Sequence, residues 1–203
     1  VTGVQTCALP ISHVINAFLA AEDARFFSHP GVDPIGVGRA IVKNIKVGNY
    51  AQGASTITQQ VTRNFILSKE KKFSRKIREA LLAFRLEKTL SKKEILDLYL
   101  NEIYLGRGAY GIEAASRVYF GKNASELTIA EAALIAGLVS NPTKNAPPKN
   151  VEGALKRREF VLNSMLRNNF ITDEEFRISL SEAPSFRENL PVPSERTPYF
   201  TEA

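Results

Sequence analysis

The chain has 203 residues, 44% of them hydrophobic and 24% charged, which is typical of a globular domain with one sizeable core. Its net charge of +6 suits an anionic membrane surface, a phosphorylated substrate or nucleic acid. The single Cys7 excludes an internal disulfide and a cysteine zinc site, and two histidines leave little scope for a histidine metal cluster.

Helix signals dominate the first half of the chain after residues 1–11, which we set apart as an artefact or tag. Apolar residues recur at helical spacing before Glu22, and Pro34 suits a first helical position. The predicted elements are helices over Val14–Phe26, from Pro34 toward Val47 and over Ser55–Leu67, a turn at Gly48–Tyr50, and a helix capped by Ser74.

Three capping boxes mark helix starts in the second half, each with a Ser or Thr followed three residues later by Glu. The boxes and the apolar spacing predict helices over Ile95–Tyr104, Ala132–Val139 and Val151–Asn168 and a short helix after Thr172, with an extended connector at Asn141–Pro148. No strand alternation precedes Phe186. The predicted fold is therefore mostly α, with one domain over residues 12–183 and a linker over 184–203.

The segment Gly53–Gln60 is unusually rich in small and hydrogen-bonding side chains. A buried hydroxyl or amide without a partner costs about 1–3 kcal/mol, so side chains packed this densely usually face a polar ligand. We therefore predict that this segment and the helical turn after it bind sugar and phosphate oxygens. The candidate substrate-binding residues are Ser55, Thr56, Gln59, Gln60, Arg63 and Asn64.

Glu22 is the first candidate acid, and its sequence context allows two interpretations of its role. It lies at the end of an amphipathic segment and is followed by Phe26 and Phe27. One interpretation is a solvated acid at a helix end. The other is a general base whose pKa the two phenylalanines raise toward the working pH by removing water.

Glu79 is the second acid, and a helix would place it beside Arg75 and Lys76. A surface ion pair is the ordinary interpretation. Cations at a helix start oppose the helix dipole, so the alternative is a diphosphate site that starts at Ser74. On that alternative, we expect that replacing both cations leaves thermal stability unchanged or slightly higher.

The wider segment Lys69–Arg78 carries six basic residues, which suits attraction to anionic lipid. Nucleic acid is not an expected partner, because these charges are not regularly interleaved with aromatic residues that could stack on bases, Phe73 being the single one in the segment. His29 precedes Pro30-Gly31 and is expected to be structural. Ser68–Lys71 matches the Ser-x-x-Lys of penicillin-binding transpeptidases by spelling, but no Lys-Thr-Gly follows, so we interpret the match as chance.

Five ordered segments together resemble the peptidoglycan glycosyltransferase domain (glycosyltransferase family 51) of class A penicillin-binding proteins. These segments are Glu22–Gly31, Gly53–Asn64, Arg75–Glu79, Lys93–Asn101 and Arg107–Lys122. The resemblance implies a lysozyme-like α-helical fold that polymerises lipid II with release of undecaprenyl diphosphate. It also implies the outer face of the bacterial cytoplasmic membrane as location, an anchor outside this chain, and moenomycin as inhibitor.

The resemblance further implies roles for the two acids. Glu22 aligns with the catalytic glutamate that takes a proton from the sugar acceptor. Glu79 would orient the leaving diphosphate, directly or through a divalent cation such as Mg or Mn, with Arg75 and Lys76 among the substrate-binding residues. Many family members have lysine where this chain has Arg63, which keeps the charge but changes its shape.

Three other functions stay open at this point. A glycan-cleaving enzyme would share the fold, but a single acid without a diphosphate cluster would suit it better. A non-catalytic membrane or cell-wall binding module would tolerate loss of Glu22. A basic nucleic-acid binder is the weakest of the three.

Overall fold

The computed structural model describes residues 12–38, 55–65 and 72–187, and these residues are almost entirely helical. An isolated antiparallel bridge joins Tyr104 and Tyr110, and no strand occurs in the described residues. The mostly α class is confirmed. The helices are α1 Ser12–Glu22, α2 Ile57–Phe65, α3 Lys72–Thr89, α4 Lys92–Glu102, α5 Ile112–Tyr119, α6 Ile129–Leu138, α7 Pro142–Asn145, α8 Val151–Arg167 and α9 Asp173–Ser181, with 3-10 turns at Phe26–Ser28 and Ala124–Glu126 and a helical stretch at 34–38.

The helix α6 lies at the centre of the core. Every residue from Ala130 to Leu138 is buried, and all but Glu131, whose carboxylate belongs to the capping box, are apolar or glycine. Its small side chains allow α1 and α8 to approach closely, and both pack against it. The remaining described helices include a second group in which α2 contacts α3 and α4.

The three predicted capping boxes are confirmed. The hydroxyls of Ser91, Thr128 and Thr172 each accept the backbone N–H three residues later, and each glutamate side chain accepts from the N–H of the residue that begins the box. Each box satisfies two backbone donors that would otherwise lack partners at a helix start. These local interactions explain why the starts of α4, α6 and α9 could be placed from sequence.

Several element boundaries differ from the prediction, and three of the differences have a clear local reason. The helix α1 ends at Glu22 and not at Phe26, because the chain turns into a 3-10 helix at Phe26–Ser28. Ser74 does not cap α3, which already begins at Lys72. The predicted extended connector contains α7, because the Asn141 side chain accepts from the Lys144 N–H and caps a short helix.

The packed part of the chain continues to the last described residue. The Arg187 N–H donates to the Tyr119 carbonyl at 2.9 Å, and the ring of Phe186 stacks on Phe120. The predictions for residues 1–11, 39–54, 66–71 and 188–203 lie outside the described residues. These include the turn at Gly48–Tyr50, the Ser68–Lys71 match and most of the linker.

Candidate active site

The carboxylate of Asp23 joins the two helix groups at the candidate site. Its Oδ2 accepts the backbone N–H of Ile57, the first residue of α2, at 3.2 Å. Nε2 of His29 lies 2.9 Å and 3.0 Å from the two carboxylate oxygens. Both side chains are buried, so the end of α1, the following turn and the start of α2 are held at one point. His29 therefore has a structural contact, as expected.

Thr56 and Gln59 form a capping box at the start of α2. The Gln59 N–H donates to Thr56 Oγ1 at 3.2 Å, and the Thr56 N–H donates to Gln59 Oε1 at 3.1 Å. The Thr56 hydroxyl also donates to the carbonyl of Gly31 at 2.5 Å. Both side chains are buried and used within the protein. Thr56 and Gln59 therefore cap the start of α2, and their contact with substrate stays a prediction.

Gly31, whose carbonyl accepts the Thr56 hydroxyl, also lies directly against the backbone of α3. Its φ is +90°, and a Cβ there would lie 2.9 Å from the backbone of Ala83 on α3. A larger residue would therefore clash with α3 and strain the backbone. The glycine thus lets the turn after α1 contact both α2 and α3.

Glu22 lies at the end of α1, and the Gln60 amide donates to its Oε2 at 2.8 Å. Burial raises the pKa of the Glu22 carboxyl above its ordinary value, although the Gln60 hydrogen bond and the Arg157 and Arg63 charges oppose that rise. Of the two phenylalanines predicted to remove water from it, Phe26 is fully buried and Phe27 is 61% exposed. The raised pKa suits a group that must accept a proton near neutral pH.

Two residues beside Glu22 were not predicted from sequence. Arg157 on α8 is a charge partner of the carboxylate, although it follows Glu22 by more than a hundred residues. Tyr99 on α4 is fully buried, and its hydroxyl has no hydrogen-bond partner among the described residues. Burial together with the Glu22 charge raises the pKa of Tyr99 well above the ordinary value. The only sequence signal for Arg157 is its place in the basic run Lys156–Arg158, which looks like an exposed helix face.

Glu79 lies in a separate charged cluster on α3. Its side chain is only 2% exposed, with Lys76 Nζ 3.1 Å from Oε2 and Arg75 Nε 3.4 Å from Oε1. Lys76 Nζ also donates to Ser55 Oγ at 2.6 Å, so the polar segment before α2 contacts this cluster directly. The ion pair considered from sequence is present, but its acid is buried and not at the surface. The expectation of unchanged stability without the cations is also withdrawn, because a buried carboxylate would lose its partners.

The helix α2 connects the two acids. Gln60 on α2 contacts Glu22, while Thr62 Oγ1 donates to the Glu79 carbonyl at 3.4 Å. Arg63 and Asn64 are exposed at the end of the same helix, and the Arg63 charge acts on Glu22. The site thus has a carboxylate with a raised pKa at one end and a cationic cluster at the other.

The residues around Glu79 do not fit a divalent cation. Mg²⁺ and Mn²⁺ require several oxygen ligands, whereas two cationic side chains contact the Glu79 carboxylate. No group of three or more His, Cys, Asp or Glu side chains that could hold a metal occurs among the residues that the structure describes. We therefore derive no step through a metal at Glu79.

Comparisons with known proteins identify the relatives of this chain. A family model described as Transglycosylase matches residues 5–166. Penicillin-binding protein 1A of Aquifex aeolicus is 50% identical over 170 residues, covering 84% of this chain and 23% of that protein. Penicillin-binding protein 1A of Escherichia coli is 47% identical over 189 residues, covering 93% of this chain and 22% of that protein. The chain thus spans under a quarter of the length of these relatives.

Solved structures are also similar to the chain. The crystal structure of penicillin-binding protein 1A from Haemophilus influenzae shares 42% sequence identity and gives a TM-score of 0.47, covering 48% of this chain and 15% of that chain.

Among the described helices, none combines the length and the apolar character needed to cross a bilayer.

The raised pKa of Glu22 predicts a pH-dependent effect on stability. The folded state holds this proton more tightly than the unfolded state, so the ionised carboxylate destabilises the fold above its folded pKa, and the penalty disappears below the unfolded pKa. We therefore expect Glu22→Gln to raise the melting temperature at about pH 8, with a smaller gain at about pH 4. Thermal unfolding of Glu159→Gln, an exposed acid on α8, serves as the control. An equal change at both pH values would contradict the assignment.

Proposed function

The chain belongs to the transglycosylase family, and we propose that it polymerises lipid II into β-1,4-linked glycan strands with release of undecaprenyl diphosphate. The observation that carries the proposal is the position of Glu22. Its pKa is raised, a buried amide orients it, and one helix connects it to a cluster of cations. This arrangement suits proton removal at one end and departure of an anion at the other.

In the proposed reaction, Glu22 removes the proton from the 4-hydroxyl of the acceptor sugar. The acceptor oxygen attacks the anomeric carbon of the donor, and the bond from that carbon to the lipid diphosphate breaks. A single displacement converts the α-linked donor into a β-linked product. The proton then resides on Glu22, and the negative charge resides on the departing diphosphate. The Gln60 amide would keep the carboxylate aimed at the acceptor.

The cationic cluster would receive the diphosphate. We assign this role to Arg75 and Lys76, with Arg63 at the end of α2 and Ser55 held by Lys76. Glu79 would act as a positioning residue, because its buried carboxylate contacts both cations and limits their rotation. Arginine and lysine bind phosphate oxygens through charge-assisted hydrogen bonds, which are about twice as strong as neutral ones. Asn64 is a further candidate on the exposed end of α2.

The helix α3 also carries a surface that suits a membrane partner. Ile77, Leu81 and Phe84 are exposed by 51%, 57% and 43% and lie at helical spacing on one side of the helix. Arg85 and Lys88 are exposed on the same helix, where they could contact anionic headgroups. We propose that this apolar stripe of α3 rests on the outer face of the bacterial cytoplasmic membrane, where lipid II would be supplied. Lipid II, the growing glycan strand and this membrane are the proposed partners.

The first functional prediction concerns the general base. Glu22→Gln should lower polymerisation of labelled lipid II in detergent by about 10²–10⁴-fold or more, because removing a general base typically has this effect. Glu159→Gln on α8 is the matched control and should retain activity. Polymerisation by Glu22→Gln within tenfold of the parent would refute the assignment. Shortening of added glycan strands, without polymer, would support the glycan-cleaving alternative.

The second functional prediction concerns the diphosphate. We expect Arg75→Ala with Lys76→Ala to weaken binding of moenomycin, a phosphoglycolipid that resembles the donor, by at least about tenfold. The variants are made in a Glu79→Gln background, so that no buried carboxylate is left without partners. Arg85→Ala with Lys88→Ala, in the same background, removes equal charge from exposed positions of α3. If both pairs weaken binding equally, the site is only a diffuse basic surface.

The third functional prediction concerns the membrane. Replacing Ile77, Leu81 and Phe84 by serine should lower binding to phosphatidylglycerol vesicles by at least about tenfold, because each apolar side chain contributes on the order of 1 kcal/mol or more when buried in lipid. The control replaces Ile178 and Leu180, which are exposed apolar residues on α9. Equal loss per residue in the two variants would show that the stripe is not a specific membrane contact.

A further inference from the structure

Arg157 is fixed at the junction of α6 and α8 by contacts that a solvated surface arginine does not make. Its Nε donates to the Gly137 carbonyl at 3.3 Å, and its guanidinium lies 4.6 Å from the centre of the Phe160 ring. The Gly137 carbonyl belongs to the last turn of α6, where backbone acceptors lack partners within the helix and the dipole favours a cation. The position of the charge is therefore determined by the packing of two helices.

The backbone of α8 approaches α6 too closely for any side chain other than hydrogen at Gly137. A Cβ there would lie 2.9 Å from Cβ of Arg157 and 3.1 Å from its carbonyl carbon. This contact fixes the position of Arg157 along the axis of α6. A larger residue at this position would push Arg157 away from the end of α1.

A second contact holds α8 against the last turns of α1. Ser164 Oγ donates to the carbonyl of Ala20 at 2.8 Å, and both groups are buried. Ser164 follows Arg157 by seven residues, which is about two helical turns, so the two residues lie on the same face of α8. This face is the one that packs against α1, and Glu22 is the residue at which α1 ends.

We propose that Arg157 is a positioning residue for the Glu22 general base, and that it acts as the fixed positive charge that stabilises the carboxylate across the junction of α1, α6 and α8. This inference rests on the proposed function, because it concerns the same carboxylate. The charged and titratable groups around Glu22 are Asp23 at the end of α1, Arg63 on α2, Tyr99 on α4 and Arg157 on α8.

These groups have opposite effects on the ionisation of the Glu22 carboxyl. Burial and Asp23 favour its protonated form, while Arg157 and Arg63 favour its ionised form. Tyr99 stays neutral, because burial raises its pKa well above the ordinary value. Arg63 is exposed and is also a candidate for the diphosphate, whereas Arg157 is held by Gly137 and Phe160. Arg157 therefore supplies the opposing charge that does not depend on bound substrate.

The inference is tested by the pH profile of kcat/KM for lipid II polymerisation. A base is active only when ionised, so activity falls as the pH drops through its pKa, and a higher pKa moves this acidic limb to higher pH. Arg157→Gln should move the limb up by about one pH unit, and activity should recover toward the parent at high pH. Arg157→Lys should keep the limb near the parent position. Lys156→Ala, an exposed neighbour paired with Glu152, is the matched control and should leave the limb unchanged.

A second variant and a second measurement cover failure of folding or of activity. Phe160→Leu keeps an apolar side chain but removes the ring beneath the guanidinium, so the limb should move in the same direction by a smaller amount. Carbon-13 NMR of the labelled Glu22 carboxyl follows its titration without any enzymatic turnover. An upward shift in Arg157→Gln supports the inference even if no variant polymerises lipid II, in which case only the proposed function fails. An equal loss of kcat/KM at every pH, with an unmoved Glu22 titration, would overturn it.

Discussion

The Asp23 carboxylate is the contact on which the geometry of the site depends. It follows Glu22 directly and binds the first N–H of α2, so it fixes where α2 begins relative to the end of α1. Gln60 lies one turn into α2, and its amide reaches Glu22 only because that start is fixed. His29 holds the other side of the same carboxylate. The position of the proposed base is therefore set by its neighbour in sequence through a contact with a distant helix.

The two acids of the site show how environment separates the roles of one residue type. Glu22 is half-buried, with one amide donor and two cations that act through space, and the loss of solvent outweighs these partners, so its pKa is raised. Glu79 is buried in contact with two cations that lie next to it on the same helix. The first arrangement leaves a carboxylate able to take a proton. The second uses a carboxylate to hold two cations in place, and these cations are the groups that we propose bind the diphosphate.

Sequence patterns predicted the parts of the fold that local interactions determine. The Ser91, Thr128 and Thr172 boxes were recognised, because each needs only four consecutive residues. The Thr56–Gln59 box has the same spacing, but it stands in a polar segment that was interpreted as a ligand surface. Arg157 could not be predicted at all, because its role depends on the crossing of α6 and α8 at Gly137. Packing between helices distant in sequence leaves no local pattern.

The capping of α2 also limits how the site can hold an anion. A free helix start offers backbone N–H groups to a phosphate. At α2, the Ile57 N–H is bound by the Asp23 carboxylate and the Gln59 N–H by the Thr56 hydroxyl, so the protein supplies its own acceptors there. In the proposed site, side chains would then bind the diphosphate, and Lys76 is a cation that contacts this segment through Ser55. The basic cluster on α3 would thus take a role that the capped start of α2 does not fill. In that arrangement Glu79 would matter through its position, because its buried carboxylate contacts both Arg75 and Lys76.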